Sequence, residues 1–149
     1  MIEFNKYSGV SPNNEDVSLT IASGPVIIQD GKVLVVKHGD DTGWKFPGGK
    51  VRDDASPRET AQREAKEELD IVVALEGDPY VVAFTREKNG TQEYVILLHY
   101  RARIASGEPR PNRDVREFAW LPIDALPEDC MPNIKSAVSF FKCPGSESN

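Results

Sequence analysis

This chain predicts a single α/β domain in which a mixed β-sheet lies between helices, an α/β/α sandwich. Three observations carry that reading. The runs Val26-Ile27-Ile28 and Val33-Leu34-Val35-Val36 are continuous rather than alternating, the pattern of strands covered on both faces. Asn89-Gly90 separates two further apolar runs and is a strong hairpin signal. Two segments with helical character, one near residue 60 and one near the end, flank the later strands, and strands and helices in this order suggest a sheet with helices on its faces.

The elements follow in order. Residues 1–17 are polar and irregular, with Ser11-Pro12-Asn13-Asn14 as a breaker cluster, and read as an arm or an added edge strand. Two strands, 18–28 and 32–38, flank the turn Gln29-Asp30-Gly31. Gly39 to Gly43 is a loop. A helix spans about 57–69: Ser56 and Glu59 form the S-x-x-E capping-box pattern, and Pro57 takes the first helical position, where proline is tolerated. Val72-Val73-Ala74 begins a short strand. Residues 80–86 and 92–104 pair across Asn89-Gly90, and Arg116 to Leu121 is a further strand running into Pro122. Ile134, Ala137, Val138 and Phe141 fall at i, i+3, i+4 and i+7, an amphipathic helix with Asn133 as its expected cap and Pro144-Gly145 as its stop. The domain therefore runs from 18 to 143, and 144–149 read as a disordered tail.

A chain of 149 residues is expected to form one domain with a real core. Its 39% hydrophobic and 28% charged residues are ordinary for a soluble globular protein. A net charge of −6 argues against a stable nucleic-acid partner, and anionic substrates would need local cations to overcome that field. No apolar stretch reaches membrane-spanning length, and Met1 to Val10 shows no secretory pattern. Cys130 and Cys143 have no metal-ligand spacing and make no disulfide framework, so they read as incidental thiols in a reducing cytosol.

The chemistry concentrates on the first helix. With about 100° of rotation per residue, Glu68 lies about 40° to one side of Glu64 and Glu67 about 60° to the other. Like charges at these spacings repel, so a cation that neutralises them makes the cluster tolerable, and oxygen-only ligands suit Mg2+ or Mn2+. Ala61, Ala65 and Leu69 form a narrow apolar stripe beside that face, so one flank packs against a sheet and the next holds metal. A charge run on a helix usually means only a solvated face. Gly48-Gly49 just upstream shifts the balance, because paired glycines permit close backbone approach, and a metal with a glycine turn can together grip a diphosphate.

The segment resembles the Nudix box, G-x5-E-x7-R-E-U-x-E-E-x-G-U with U a bulky apolar residue. Gly49, Arg63, Glu64, Glu67, Glu68 and Ile71 match at the correct spacing, and Trp44-Lys45-Phe46-Pro47-Gly48-Gly49 is similar to the usual lead-in. Ala55 stands in place of the first glutamate, Ala65 is small for its apolar position, and Asp70 replaces the glycine after the helix. The first glutamate is commonly a brace for the box arginine; here Asp53 or Asp54 is expected to pair with Arg63 instead. Asp70 can still take the left-handed conformation that ends a helix.

The resemblance implies the Nudix α/β/α sandwich and metal-dependent hydrolysis of a diphosphate linkage in a nucleoside diphosphate joined to another group. It implies Glu64 and Glu68 as direct ligands of Mg2+ or Mn2+, Glu67 as a third ligand or one acting through water, the Gly48 carbonyl completing the shell, and Arg63 as a loop brace. In the family an acidic residue in the loop before the strand at 116–121 sometimes acts as base or extra ligand, which makes Asp114 a candidate. The expected partner is a small nucleoside diphosphate derivative in the cytoplasm, with no membrane; a homodimer stays open.

Other residues divide between site and core. Trp44 and Phe46 read equally as base-stacking groups or as support for the glycine turn, Trp120 as core, and Arg52 as facing phosphate or solvent. His38 and His99 receive no role, since a lone histidine is most often a packed or surface residue. Two rival readings compete with hydrolysis. A degenerate domain that binds nucleotide or protein without turnover is motivated by Ala55 and Asp70, but the intact R-E-x-x-E-E argues against it. Isoprenoid diphosphate isomerase chemistry shares the fold but needs a catalytic cysteine earlier than Cys130 or Cys143.

Overall fold

The computed structural model of the chain describes residues 6–10 and 16–142. In chain order they form β1 (Lys6–Val10), β2 (Asp16–Gln29), β3 (Lys32–His38), β4 (Gly49–Lys50), α1 (Pro57–Leu69), β5 (Val72–Leu75), β6 (Tyr80–Lys88), β7 (Thr91–Ser106), β8 (Val115–Pro122) and α2 (Pro132–Lys142). Among the described residues the sheet has eight strands, with β5-β7-β2-β3-β8 as its main path and β1, β4 and β6 paired alongside. It is mixed: β2 runs parallel to β7, from Val17 opposite Gln92 to Ile27 opposite Ala102, and every other pairing is antiparallel.

Both continuous apolar runs are buried on two faces. Leu34 and Val36 of β3 join Ile27, Ala65, Leu69 and Ile71 in the layer under α1. Val33 and Val35 point the other way and join Val26, Ile134, Ala137, Val138 and Phe141 in the layer under α2. Alternation along one strand thus feeds two cores, and the helices lie on opposite faces.

Two turns place consecutive residues in the left-handed region, as tight hairpins with the right twist require: Asp30 and Gly31 (φ 53° and 74°), and Asn89 and Gly90 (φ 54° and 77°). The second joins β6 to β7 over nine paired positions, from Tyr80 opposite His99 to Lys88 opposite Thr91. Residues 6–10 form an edge strand on β2, with Lys6 opposite Thr20 and Val10 opposite Asp16.

Most observed strands run slightly longer than the sequence pattern, and the expected cap of the last helix fails. Asn133 does not cap α2. The helix begins at Pro132, and the Asn133 amide instead lies 3.0 Å from His99 Nε2. Proline is favoured at the first helical position, which puts the start one residue earlier. His99 is buried; its Nδ1 lies 3.1 Å from the Tyr80 carbonyl and its ring packs edge-on to Phe46. Phe46 is buried in the α2 core and Trp44 packs against it, which makes them support rather than stacking surfaces. Trp120 packs partly buried on the α1 side. Cys143, Pro144-Gly145 and the tail lie outside the described residues. No helix among the described residues is long and apolar enough to cross a membrane.

Candidate active site

The site begins with how α1 is fixed. The Ser56 hydroxyl accepts from the Glu59 amide, and the Glu59 carboxylate accepts from the Ser56 amide, closing the capping box. Ala61, Ala65 and Leu69 are fully buried. At the far end Asp70 turns left-handed (φ 55°, ψ 40°), and its amide donates to the Lys66 carbonyl. The loop after β7 then docks on the last turn: the Arg110 amide donates to the Leu69 carbonyl (3.1 Å) and the Asn112 amide to the Glu68 carbonyl (3.0 Å). Those carbonyls would otherwise be orphans of the helix end. Arg110 also pairs with the Asp70 carboxylate at 2.6 Å. This seating carries Arg113 and Asp114 over the carboxylate face.

The glycine turn approaches from the other side, and β2 admits it. A Cβ at Gly24 would lie 1.9 Å from the Pro47 carbonyl oxygen, so only glycine lets the strand and the turn pass this closely. β4 pairs with β2 at Ala22 and Ser23. The Gly48 amide donates to Glu68 Oε1 at 3.3 Å.

A cleft of about 410 Å3 results, lined by His38, Gly49, Lys50, Arg52, Glu64, Glu68, Arg113 and Asp114. Glu64 and Glu68 are each only 5% exposed. Burial, then the neighbouring Glu64 carboxylate, pushes the Glu68 carboxyl up to about 8. His38 Nε2 stands 3.1 Å from Glu68 Oε2, and burial, aided by Lys45, holds the imidazole below its usual range.

Glu67 turns aside from the cleft, partly exposed and bonded to Arg113. Arg63 lies 3.3 Å from Glu64 and 3.9 Å from Glu67. Among the described residues, it does not pair with Asp53 or Asp54; its partners are one and four positions along its own helix, within easier reach than the acidic loop. Two buried carboxylates with no sulfur donor suit a hard divalent ion. Among the described residues no three acidic, histidine or cysteine side chains converge closely enough to enclose an ion, so the donors that fit are the Glu64–Glu68 pair.

The sequence reading placed Glu64, Glu68, Arg52 and Asp114 near the chemistry and missed His38, Lys50 and Arg113. His38 closes β3, and the antiparallel β3–β8 pairing sets it opposite Val115, next to the loop that carries Asp114. The Gly39 amide donates to the Asp114 carbonyl at 3.3 Å, and Arg116 donates to the carbonyls of Gly39 and Asp41, which ties the two loops together.

The model of the NUDIX domain matches residues 19–139. A "MutT-like protein" of Streptomyces ambofaciens is 27% identical over 118 residues, covering 79% of this chain and 71% of that protein. The "CTP pyrophosphohydrolase" of Escherichia coli is 38% identical over 78 residues, which span 50% of this chain and 54% of that relative. The crystal structure of a MutT NUDIX hydrolase from Burkholderia pseudomallei superposes with a TM-score of 0.66 at 26% identity, covering 81% of this chain and 96% of that one.

Proposed function

Since this chain belongs to the NUDIX family and is a pyrophosphohydrolase of that family, we propose that it cleaves the diphosphate linkage of a nucleoside diphosphate joined to another group, using Mg2+ or Mn2+. The observation that carries the reading is the buried Glu64–Glu68 pair at the base of a cleft rimmed by Lys50, Arg52 and Arg113. Carboxylates without an ion would repel a phosphate; carboxylates with one, among three cations, accept it.

In this reading Glu64 and Glu68 hold the ion directly, with the Gly48 carbonyl as a further donor and Glu67 acting through water. When bound, such an ion would neutralise phosphate oxygens and make water more acidic. Lys50 and Arg52 orient the diphosphate from the rim. Arg63 holds Glu64 and Glu67 in place and does not touch substrate. A water oxygen attacks one phosphorus, the bridging P–O bond breaks, and the water's proton passes to a cleft carboxylate, Glu64 or Asp114. His38, beside Glu68, fixes that carboxylate's orientation.

A second substrate reading, a nucleoside triphosphate, is favoured by the name of the Escherichia coli relative. Incubation with nucleoside diphosphate derivatives and with nucleoside triphosphates, in Mg2+ and in Mn2+, separates the two by which phosphate product appears. Release of neither monophosphate, phosphate nor pyrophosphate from any of them would contradict the proposal.

A further inference from the structure

Arg113 is the most unusual residue of the cleft. It comes from the loop after β7, 46 positions from Glu67, and its guanidinium bonds Glu67 Oε2 while standing 3.8 Å from Glu64 Oε1. Its backbone is left-handed (φ 55°), a conformation that favours glycine and that an arginine adopts only under constraint. The constraint is visible: the Asn112 amide is fastened to the Glu68 carbonyl, the Val115 amide to the Asn112 carbonyl, and the Asp114 carbonyl to Gly39. The loop holds the Arg113 side chain over the cleft while the backbone on either side is tied down. Nearly half of the Arg113 side chain stays exposed, so the guanidinium can turn without unpacking anything.

Resting on the hydrolase reading, we propose that Arg113 is a phosphate clamp held in reserve by the box carboxylates. In the structure it serves as a counter-cation for Glu67 and stands near Glu64. A divalent ion held by these carboxylates would share their charge and weaken their hold on Arg113. The planar fork of donors then turns to the phosphate oxygens of the incoming substrate, which it matches in two-point fashion. Arg63 does not fill this role, because it sits on α1 itself and does not line the cleft. The exchange makes metal occupancy a precondition for gripping the substrate.

The test uses Mg2+ alone and then inorganic pyrophosphate in saturating Mg2+, each titrated calorimetrically into wild type, Arg113→Ala, Arg113→Lys and Arg113→Gly. The clamp predicts that Arg113→Ala and Arg113→Gly bind Mg2+ as tightly as wild type or a few-fold tighter, having lost a competitor for the carboxylates. It predicts that both bind pyrophosphate about tenfold or more weakly, with Arg113→Lys between. In turnover KM rises more than kcat falls. Arg113→Gly in Mg2+ keeps the wild-type melting temperature or exceeds it, since glycine takes this backbone freely, so lost affinity cannot be blamed on misfolding. Pyrophosphate affinity unchanged in Arg113→Gly, or Mg2+ affinity lost with it, overturns the clamp and leaves the hydrolase intact. A wild type that binds neither Mg2+ nor pyrophosphate overturns both readings.

Discussion

A Cβ placed on Gly49 would lie 2.7 Å from the carboxyl carbon of Glu64. The absent side chain is thus the space into which the buried carboxylate fits. Gly49→Ala should displace the Glu64 carboxylate, which is the movable end of a flexible side chain, rather than the backbone. The melting temperature is then expected to change little while kcat falls at least tenfold; a calorimetric scan and an initial-rate assay give the two numbers. A variant that loses stability and keeps its rate would place Glu64 elsewhere.

The metal-free protein should lose stability between pH 6.5 and pH 8. Glu68 binds its proton more tightly in the folded chain, where its value is about 8, than in the unfolded chain, near 4.5, so its contribution fades as pH rises through that range. His38 is lowered from 6.5 and acts oppositely, losing stability as pH falls below that value. His99, also held low by burial, acts with His38, so the two histidines oppose Glu68 in acid, and between 6.5 and 8 the change at Glu68 dominates. Thermal melts in EDTA should show a falling Tm across this window, and saturating Mg2+ should flatten it, because the ion takes the proton's place. A Tm that rises with pH in EDTA would contradict the assignment.

Ala55→Glu restores the glutamate that the resemblance expects opposite Arg63. Arg63 already has Glu64 and Glu67 as partners, so the added carboxylate should contribute no more than the about 0–1 kcal/mol of an exposed pair. Chemical denaturation should give overlapping midpoints for the variant and wild type. A gain well beyond that range would mean that Arg63 leaves its present partners for the new one.

Asp114 lines the cleft from the loop that also carries Arg113. If it accepts the proton, Asp114→Asn should lower kcat strongly, leave Mg2+ affinity unchanged and flatten the acid limb of the pH–rate profile, since a base must lie about 3 Å from the attacking water. Near-normal kcat across pH passes the role to Glu64. The second outcome is the one we expect, because Glu64 is fixed by burial and by Gly49, whereas Asp114 stands at the rim.

Much of this was legible in the chain. Helix 57–69 was readable because its start carries a capping box with proline and its end an Asp able to turn left-handed. The hairpin was readable because Asn-Gly supplies both positive φ angles. His38 and Arg113 were not, because each reaches the cleft through tertiary pairing alone: one at the end of a strand, the other in a loop seated on a helix end. Gly24 left a signal that went unread, a glycine inside an apolar strand, which marks close backbone approach. The Asn133 cap was misread because Pro132 had already begun the helix.

On the reading above, Glu64 and Glu68 together hold the divalent ion. Titration of Mn2+ into wild type, Glu64→Gln, Glu68→Gln and Glu67→Gln, each first verified as folded by circular dichroism, tests it most directly. Wild type should bind with proton release that diminishes toward pH 8. Glu64→Gln and Glu68→Gln should each weaken binding by at least tenfold, and Glu67→Gln, whose carboxylate faces Arg113, should do less harm. Wild-type Mn2+ affinity in both Glu64→Gln and Glu68→Gln would contradict the account.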